Sequence, residues 1–565
     1  MSAMEGNVFM KCSGRYVVYA VLICVCLLLY LPVLNIGFLT DDFLDAQTTF
    51  SEASRAFTHM LSSGYRPLMS YSWAIDNWIW GTARQGGWHL TNLIILTAAL
   101  FSLWCFLKLF VKDRNAVLAG VVLFAICTPA AASVAKTVWR TSLLPVIPIL
   151  WSMFFLVRYS RRERGSSALV LSSLFLLVSV FLKEIALAIP PAFAVLAWSQ
   201  AQGGNRVKTG LKAFAAAILP VAAYLVTRYL TVGFAMGYSE SSTFGLFMVK
   251  NVLLLMGKVW TPWLSSVPAR ILLPLFGIGL WFLPAERRLK VFLAAFSFLV
   301  LLTVGNLPPR VDYAVPVVPV FSLSLALVVQ KYFSQRFSAG VILCLAAVFL
   351  NSVDEIKVIQ AASDSLGRET RRIIAISEDI PGNGPLFLVG VQETLGEYGT
   401  FWHGEYMLPM QYMGIDPHRF IAGTDRIWEI LLGSGIPGYV VFLDLNGGYR
   451  SYPVSLDMYP EHPDTVVLTT EPFMAGLLIG YPTCTAIGPY DELTLVSSTS
   501  PDSLYRISSV QHDEGWYFDL ASVPVWLAGD SSTVIVTSCN ELVFTSFNIS
   551  RASALEVLAA KRSQN

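Results

Sequence analysis

Charge is what this sequence has least of. Only 14% of its 565 residues are Asp, Glu, Lys or Arg, where a water-soluble domain of ordinary composition carries about 25%. With 55% hydrophobic residues and a mean hydropathy of +0.59, that shortage excludes an ordinary soluble chain and points to a polytopic membrane protein. Basic tracts interleaved with aromatics are missing, and with them the footprint of a nucleic-acid binder. Histidine occurs only six times, and no His/Cys group has metal-ligand spacing. Internal repeats and ionisable residues in the middle of apolar runs, the marks of many transporters, are also lacking. Six of the eight cysteines (Cys12, Cys24, Cys26, Cys105, Cys127, Cys344) lie in or beside apolar runs. Cys484 and Cys539 either form a disulfide, if their surroundings are oxidising, or stay as buried thiols.

What charge there is divides sharply near residue 351. Residues 1–351 hold 28 Lys/Arg and 12 Asp/Glu, a net +16, and residues 352–565 hold 11 and 26, a net −15. The long apolar runs stop at the same place. The expected fold class is a polytopic α-helical membrane domain of about eleven transmembrane helices (1–351), followed by an extracytoplasmic soluble mixed α/β domain (352–565). In the second part, 385–393, 438–447, 464–470, 491–498 and 532–547 are rich in β-branched residues and bounded by turn formers, so they read as strands.

The apolar runs fall at 16–34, 88–110, 116–135, 140–157, 168–182, 185–199, 211–230, 271–284, 290–305, 314–330 and 338–351. The first reads as a retained anchor, because its basic flank (Lys11, Arg15) is followed by no A-x-A-like cleavage site. The stretch 244–264, interrupted by Lys250 and Lys258, reads as interfacial or re-entrant. With eleven spans, the basic loops 112–115, 158–165, 203–210, 285–290 and 330–337 all fall in the cytoplasm. That side then holds 17 Lys/Arg against 4 acidic residues, and the other side 11 against 8. The eight outer acids are Asp41, Asp42, Asp45, Glu52, Asp76, Glu184, Glu240 and Asp312. Ionisable groups at membrane depth are functional candidates, and Arg66, Arg140, Lys183 and Arg310 share this face.

Four segments carry the pattern: "FLTDDF" (38–43), "YRPLMSYSWAIDNWIWG" (65–81) running on to "GWHLTNLI" (87–94), "FLKEIALAIP" (181–190) and "PPRVDYAVP" (308–316). Together they resemble the GT-C integral-membrane glycosyltransferases, which use lipid-phosphate sugars. The likeness is greatest to the membrane part of the transmembrane-and-tetratricopeptide protein O-mannosyltransferases and their bacterial relatives. It covers roughly residues 16–350 and rests on Asp41-Asp42, Arg66-Pro67-Leu68, His89-Leu90 with Asn92, Lys183-Glu184 with Pro190, and Arg310 with Tyr313 and Pro316. The resemblance implies an inverting transferase, mannosyltransferase activity included in its range. Its donor would be a polyprenyl-phosphate sugar drawn from membrane lipid, and its acceptor a hydroxyl on a protein, glycan or lipid. The tetratricopeptide array is absent, and 128–144 keeps Pro129 and Arg140 without the family's histidines and glutamate. A bacterial inner membrane with the second domain in the periplasm is the expected location, the endoplasmic reticulum the alternative.

The chemistry needs a base for the acceptor hydroxyl, a cationic cradle for the departing phosphate, and access from the bilayer. A positioned carboxylate supplies the first. In extended chain adjacent side chains point to opposite sides, so one of Asp41 and Asp42 faces the site while the other holds the loop; the resemblance favours Asp41 as base. The bland alternative is that both cap the segment that follows. Arg66, Lys183 and Arg310 are the candidate phosphate binders, against the reading of snorkelling cations and of a local Lys183–Glu184 pair. His89 and Asn92, three apart on one helix face, either orient the first loop or touch the donor, or simply cap and hydrogen-bond that loop, which is the expected reading. Glu184, Tyr313 and Arg140 complete the supporting set. A divalent metal ion on Asp41/Asp42 is conceivable. Trp73, Trp78, Trp80 and Trp88 are either sugar platforms or an interfacial belt. The rival function is a transporter or lipid flippase with a partner-binding outer domain.

Overall fold

The computed structural model describes residues 29–59, 65–202, 205–233, 246–258, 278–304, 310–333, 339–380, 382 and 384–389, and beyond these chiefly strand backbones. The first apolar run up to residue 28, the Asp41 side chain, Glu240, residues 259–277, Cys484 and Cys539 lie outside the described residues. The chain forms two compact units, Met1–Asp364 with 396–398, and Ser365–Leu395 with Gly399–Asn565.

The first unit is helical. Its helices are α1 (Thr40–Asp45), α2 (Phe50–Arg55), α3 (Pro67–Trp80), α4 (Gln85–Leu107), α5 (Arg114–Ile126), α6 (Thr128–Ala135), α7 (Arg140–Leu143) and α8 (Val146–Ser160). There follow α9 (Ser166–Leu182), α10 (Ile189–Gln200), α11 (Arg206–Val232), α12 (Leu246–Lys258), α13 (Arg287–Leu302) and α14 (Val318–Tyr332), while α15 (Ala339–Asp379) begins in the first unit and ends in the second. Local chemistry sets their ends. Thr49 and Glu52 form a reciprocal capping box at α2. Pro67 opens α3, where its missing N–H costs nothing, and Gly81 at φ 61° closes it. Between α5 and α6, Cys127 is extended and Pro129 sits in the new first turn. Proline fits a first turn but not a helix interior, so the axis bends by 46° there.

Among the described residues, four helical stretches are long and apolar enough to cross a membrane: Gln85–Leu107, Thr137–Ser160, Arg206–Val232 and Val311–Tyr332. The bent pair α5–α6 makes a fifth if it is one span. The other runs are shorter: α9, α10 and α13 have 17, 12 and 16 residues. At about 1.5 Å per residue these reach roughly 18–26 Å, short of a hydrocarbon core of about 30 Å. Among the described residues the structure thus gives four spans, or five with the bent pair, where the apolar runs predicted eleven over the whole chain.

Helix α11 shows how the bundle meets lipid. Gly210, Ala213, Ala217, Pro220, Tyr224 and Arg228 form its buried stripe, spaced three or four apart so that they share one face. Val207, Leu211, Leu219, Val226 and Leu230 are exposed, an outward apolar face suited to acyl chains. α5 and α14 approach closely because Gly120 has no side chain: a Cβ there would lie 2.6 Å from the Ser322 carbonyl oxygen.

In the second unit, strands β1 (Leu386–Val389), β2 (Phe420–Ala422), β3 (Gly438–Leu443) and β4 (Tyr449–Val454) form a sheet ordered β2-β1-β3-β4. Its β1 pairs are parallel and β3–β4 is antiparallel. Apart from the short strand pair Thr394–Leu395 and Tyr398–Gly399, the other strands are β5 (Thr465–Thr469), β6 (Gly476–Gly480), β7 (Glu492–Ser497), β8 (Ser500–His512), β9 (Gly515–Phe518), β10 (Ser531–Ser538) and β11 (Leu542–Ser550). They form an antiparallel sheet ordered β11-β10-β7-β8-β9-β6-β5.

Candidate active site

The aspartate pair lies in the short helix α1 and not in the extended chain expected of it, so the alternation of side chains along a strand does not apply to these two residues. Asp42 is buried, and both its oxygens are engaged by backbone: Oδ2 accepts from Leu39 N–H at 2.9 Å and Oδ1 from Val138 N–H at 2.6 Å. The first bond closes the start of α1 in the manner of half a capping box. The second ties the loop to the turn Thr137–Trp139. Asp42 therefore holds the loop.

That turn leads directly into a charged cluster. The Arg310 guanidinium stacks over the rings of Trp139 (4.9 Å) and Tyr313 (4.7 Å). It also forks onto Asp312, with Nε 3.1 Å from Oδ1 and Nη2 3.2 Å from Oδ2. Asp312 is fully buried; Ser142 Oγ donates to its Oδ2 at 2.8 Å, and Lys183 Nζ lies 3.9 Å from the same atom. Lys183 in turn donates to Ser142 Oγ at 2.5 Å and faces the Tyr313 ring. Beside it, Glu184 accepts from Arg66 Nε at 2.8 Å and faces Arg228 Nη1 at 3.7 Å. Tyr224 accepts from Arg228 and donates to the Tyr65 carbonyl at 3.0 Å, which fixes the approach to Arg66. Among the described residues, four basic side chains (Arg66, Lys183, Arg228, Arg310) thus surround two carboxylates (Glu184, Asp312).

Lys183 sits in the break between the apolar helices Ser166–Leu182 and Glu184–Gln200. Burial pushes its pKa down to about 7; Asp312 opposes the shift, and the like charges of Arg66 and Arg310 add to it.

The structure separates the supporting residues into those in this cluster and those that staple the bundle. Glu184 and Tyr313 belong to the cluster. Arg140 does not: it is fully buried, ion-paired with Asp76, bonded to Ser72 Oγ (3.2 Å) and to the Trp88 carbonyl (3.3 Å), and lies over the Trp88 ring. His89 and Asn92 are buried on one face of α4. The His89 ring reaches the carbonyl oxygens of Ile36 (2.9 Å) and Val134 (3.1 Å), while Asn92 Nδ2 donates to those of Ser133 and Val134 at 3.3 Å. They fasten the first loop and the end of α6 to α4. Of the four tryptophans in 73–88, Trp73 and Trp88 are core, Trp80 donates to Thr91, and Trp78 is exposed. Among the described residues, no three His, Cys, Asp or Glu side chains come together as metal ligands, and Asp42 has its oxygens occupied by N–H groups.

Sequence reasoning did not single out Arg228, Ser142 or Trp139, and it placed Asp312 only among the outer acids. The usable signal was chemical: Arg228 stands in an apolar run where a charge needs a partner, and Glu184 is one buried group able to supply it.

No family model matches the chain, and no curated protein matches it. Two crystal structures of ArnT from Cupriavidus metallidurans are similar to it. The one bound to undecaprenyl phosphate aligns at TM-score 0.46 and 11% identity, over 80% of this chain and 95% of that one. The apo form aligns at 0.45 and 12%, over 76% and 93%. At such scores the likeness bears on neither the activity nor the ligands of this chain.

Proposed function

We propose that the chain is a membrane glycosyltransferase that moves a sugar from a polyprenyl-phosphate donor to an acceptor hydroxyl at the extracytoplasmic face. The observation that supports this reading is one continuous connection: Asp42 bonds Val138, its neighbour Trp139 stacks on Arg310, and Arg310 belongs to a cluster rich in basic side chains, with Lys183, Arg66 and Arg228. A carboxylate-bearing loop beside a preformed anion cradle is what displacement of a phosphate from a sugar requires. Arg66, Lys183 and Arg310 hold the phosphate as the sugar–oxygen bond breaks. Asp42 is taken up with positioning, which leaves Asp41 the role of base for the attacking hydroxyl; attack from the face opposite the leaving phosphate inverts the anomeric centre.

Purified protein given a panel of radiolabelled polyprenyl-phosphate sugars and crude membrane acceptor tests this. Asp41→Asn should cut transfer by about 10²–10⁴-fold while donor still binds. Asp42→Asn should lower transfer together with thermal stability. Should no donor give transfer and both variants match wild type, the transporter reading takes its place.

A further inference from the structure

At the other ends of α9 and α11 lies a second group of cations, unused by the chemistry above. Arg162 and Arg164, from the loop after α8, and Lys208 and Lys212, from the start of α11, line one cavity of about 410 Å³ with Tyr159 and Thr209. Among the described residues, no carboxylate lines it. Glu163, between the two arginines, turns to Arg158 at 3.2 Å instead. Two helices also begin at its wall: Gly165 is the N-cap of α9 and Asn205 of α11, and neither cap makes a side-chain bond to the first turn. The first-turn N–H groups and the helix dipoles add positive potential to that of the four side chains.

Arg162 is, among the described residues, the one non-glycine with positive φ, at 60°. Its position just past the end of α8 is where a helix commonly places glycine. An arginine there accepts backbone strain that glycine would relieve. A general excess of basic residues in cytoplasmic loops asks neither for convergence on one cavity nor for arginine at such a position.

We propose that this cavity binds a phosphate group. Four cations without a counter-carboxylate, two of them arginines with planar forks, suit the several oxygens and the charge of a phosphate. Lys208 and Arg228 are twenty residues apart on α11, about 30 Å of helix. The cavity is therefore one hydrocarbon thickness from the cluster at Arg228, at the level of the opposite headgroups. The phosphate is carried either by an anionic lipid headgroup or by a soluble compound.

The full-length protein in nanodiscs distinguishes these sources. Thermal stabilisation is measured in phosphatidylcholine discs titrated with inorganic phosphate, and in discs of increasing phosphatidylglycerol content. A response to phosphate identifies a soluble ligand, and a response to phosphatidylglycerol alone identifies a headgroup. Lys208→Gln combined with Lys212→Gln should weaken the response about 30-fold. Arg162→Gly is the sharper test, since it should keep or raise the melting temperature of the ligand-free protein while weakening the response. The proposal is overturned if neither probe stabilises wild type, or if the Arg162→Gly and double-lysine proteins respond as wild type does.

Discussion

At one end of α11, Arg228 is 2% exposed and faces Glu184; at the other, Lys208 and Lys212 are exposed and their cavity has, among the described residues, no carboxylate in its lining. The difference follows from burial. A cation withdrawn from water is tolerated only with a counter-charge and hydrogen bonds around it, so Arg66, Lys183, Arg228 and Arg310 come with Glu184, Asp312, Ser142 and Tyr224. The result is a cluster whose side chains hold one another in place, the preorganisation that the proposed transition-state stabilisation would require. The exposed end needs no such framework; it can attract an anion without orienting it.

The largest expected contrast comes from removing a counter-charge. Asp312→Ala leaves the Arg310 fork and Lys183 without their shared carboxylate, and breaking a buried pair costs about 3–5 kcal/mol, measurable by unfolding in mixed micelles. Removing Lys208 and Lys212 should leave stability unchanged. Equal losses at both ends would erase the distinction. Next in size, Asp42→Asn keeps one carbonyl acceptor for two backbone donors, and stranding one buried donor costs about 1–3 kcal/mol. Wild-type stability in that variant would remove Asp42 from its positioning role.

A pH effect separates the two ends more finely. Lys183 is mostly protonated below about 7 and mostly neutral above, and in the function proposed here the protonated form holds the phosphate. Donor affinity should therefore fall as pH rises past about 7, by up to about tenfold per unit, and Lys183→Arg should flatten that slope. An unchanged slope in Lys183→Arg assigns the titration to another group. Salt gives the smallest expected effect. Raising ionic strength from about 0.1 M to 1 M shortens the screening length from about 10 Å to 3 Å. This should weaken phosphate at the exposed cavity and leave donor binding at the buried cluster less affected. The reverse order would mean that the exposures of the two sites do not govern their electrostatics.

Much of this architecture is legible in the residues themselves. The run 88–110 becomes α4, Pro67 and Gly81 bracket α3, and the polar pair at 183–184 marks a real break between helices. The shared face of His89 and Asn92 follows from their spacing, and both reach carbonyls of neighbouring segments. Partnerships are what sequence order conceals. Arg66 and Glu184 are 118 residues apart, and nothing local says that they meet. Arg140 has the look of a site cation, yet Asp76 and Trp88 enclose it. The tryptophans concentrated in 73–88 draw attention by number, while the ring that touches the cluster is Trp139, alone in its segment. Span number suffers likewise, because hydropathy records where apolar residues occur and not where a 3-10 turn at Glu184–Ala188 or Val311–Val317 divides them.

The length of α11 has a mechanical side. Charges near both ends of a 27-residue helix resist being drawn into acyl chains, so the helix is matched to a particular bilayer thickness. In a thinner membrane it must tilt, and its Arg228 end would then pull on Glu184, and through Glu184 on Arg66. Lipid chain length thus becomes a variable that reaches the anion cradle without any ligand bound.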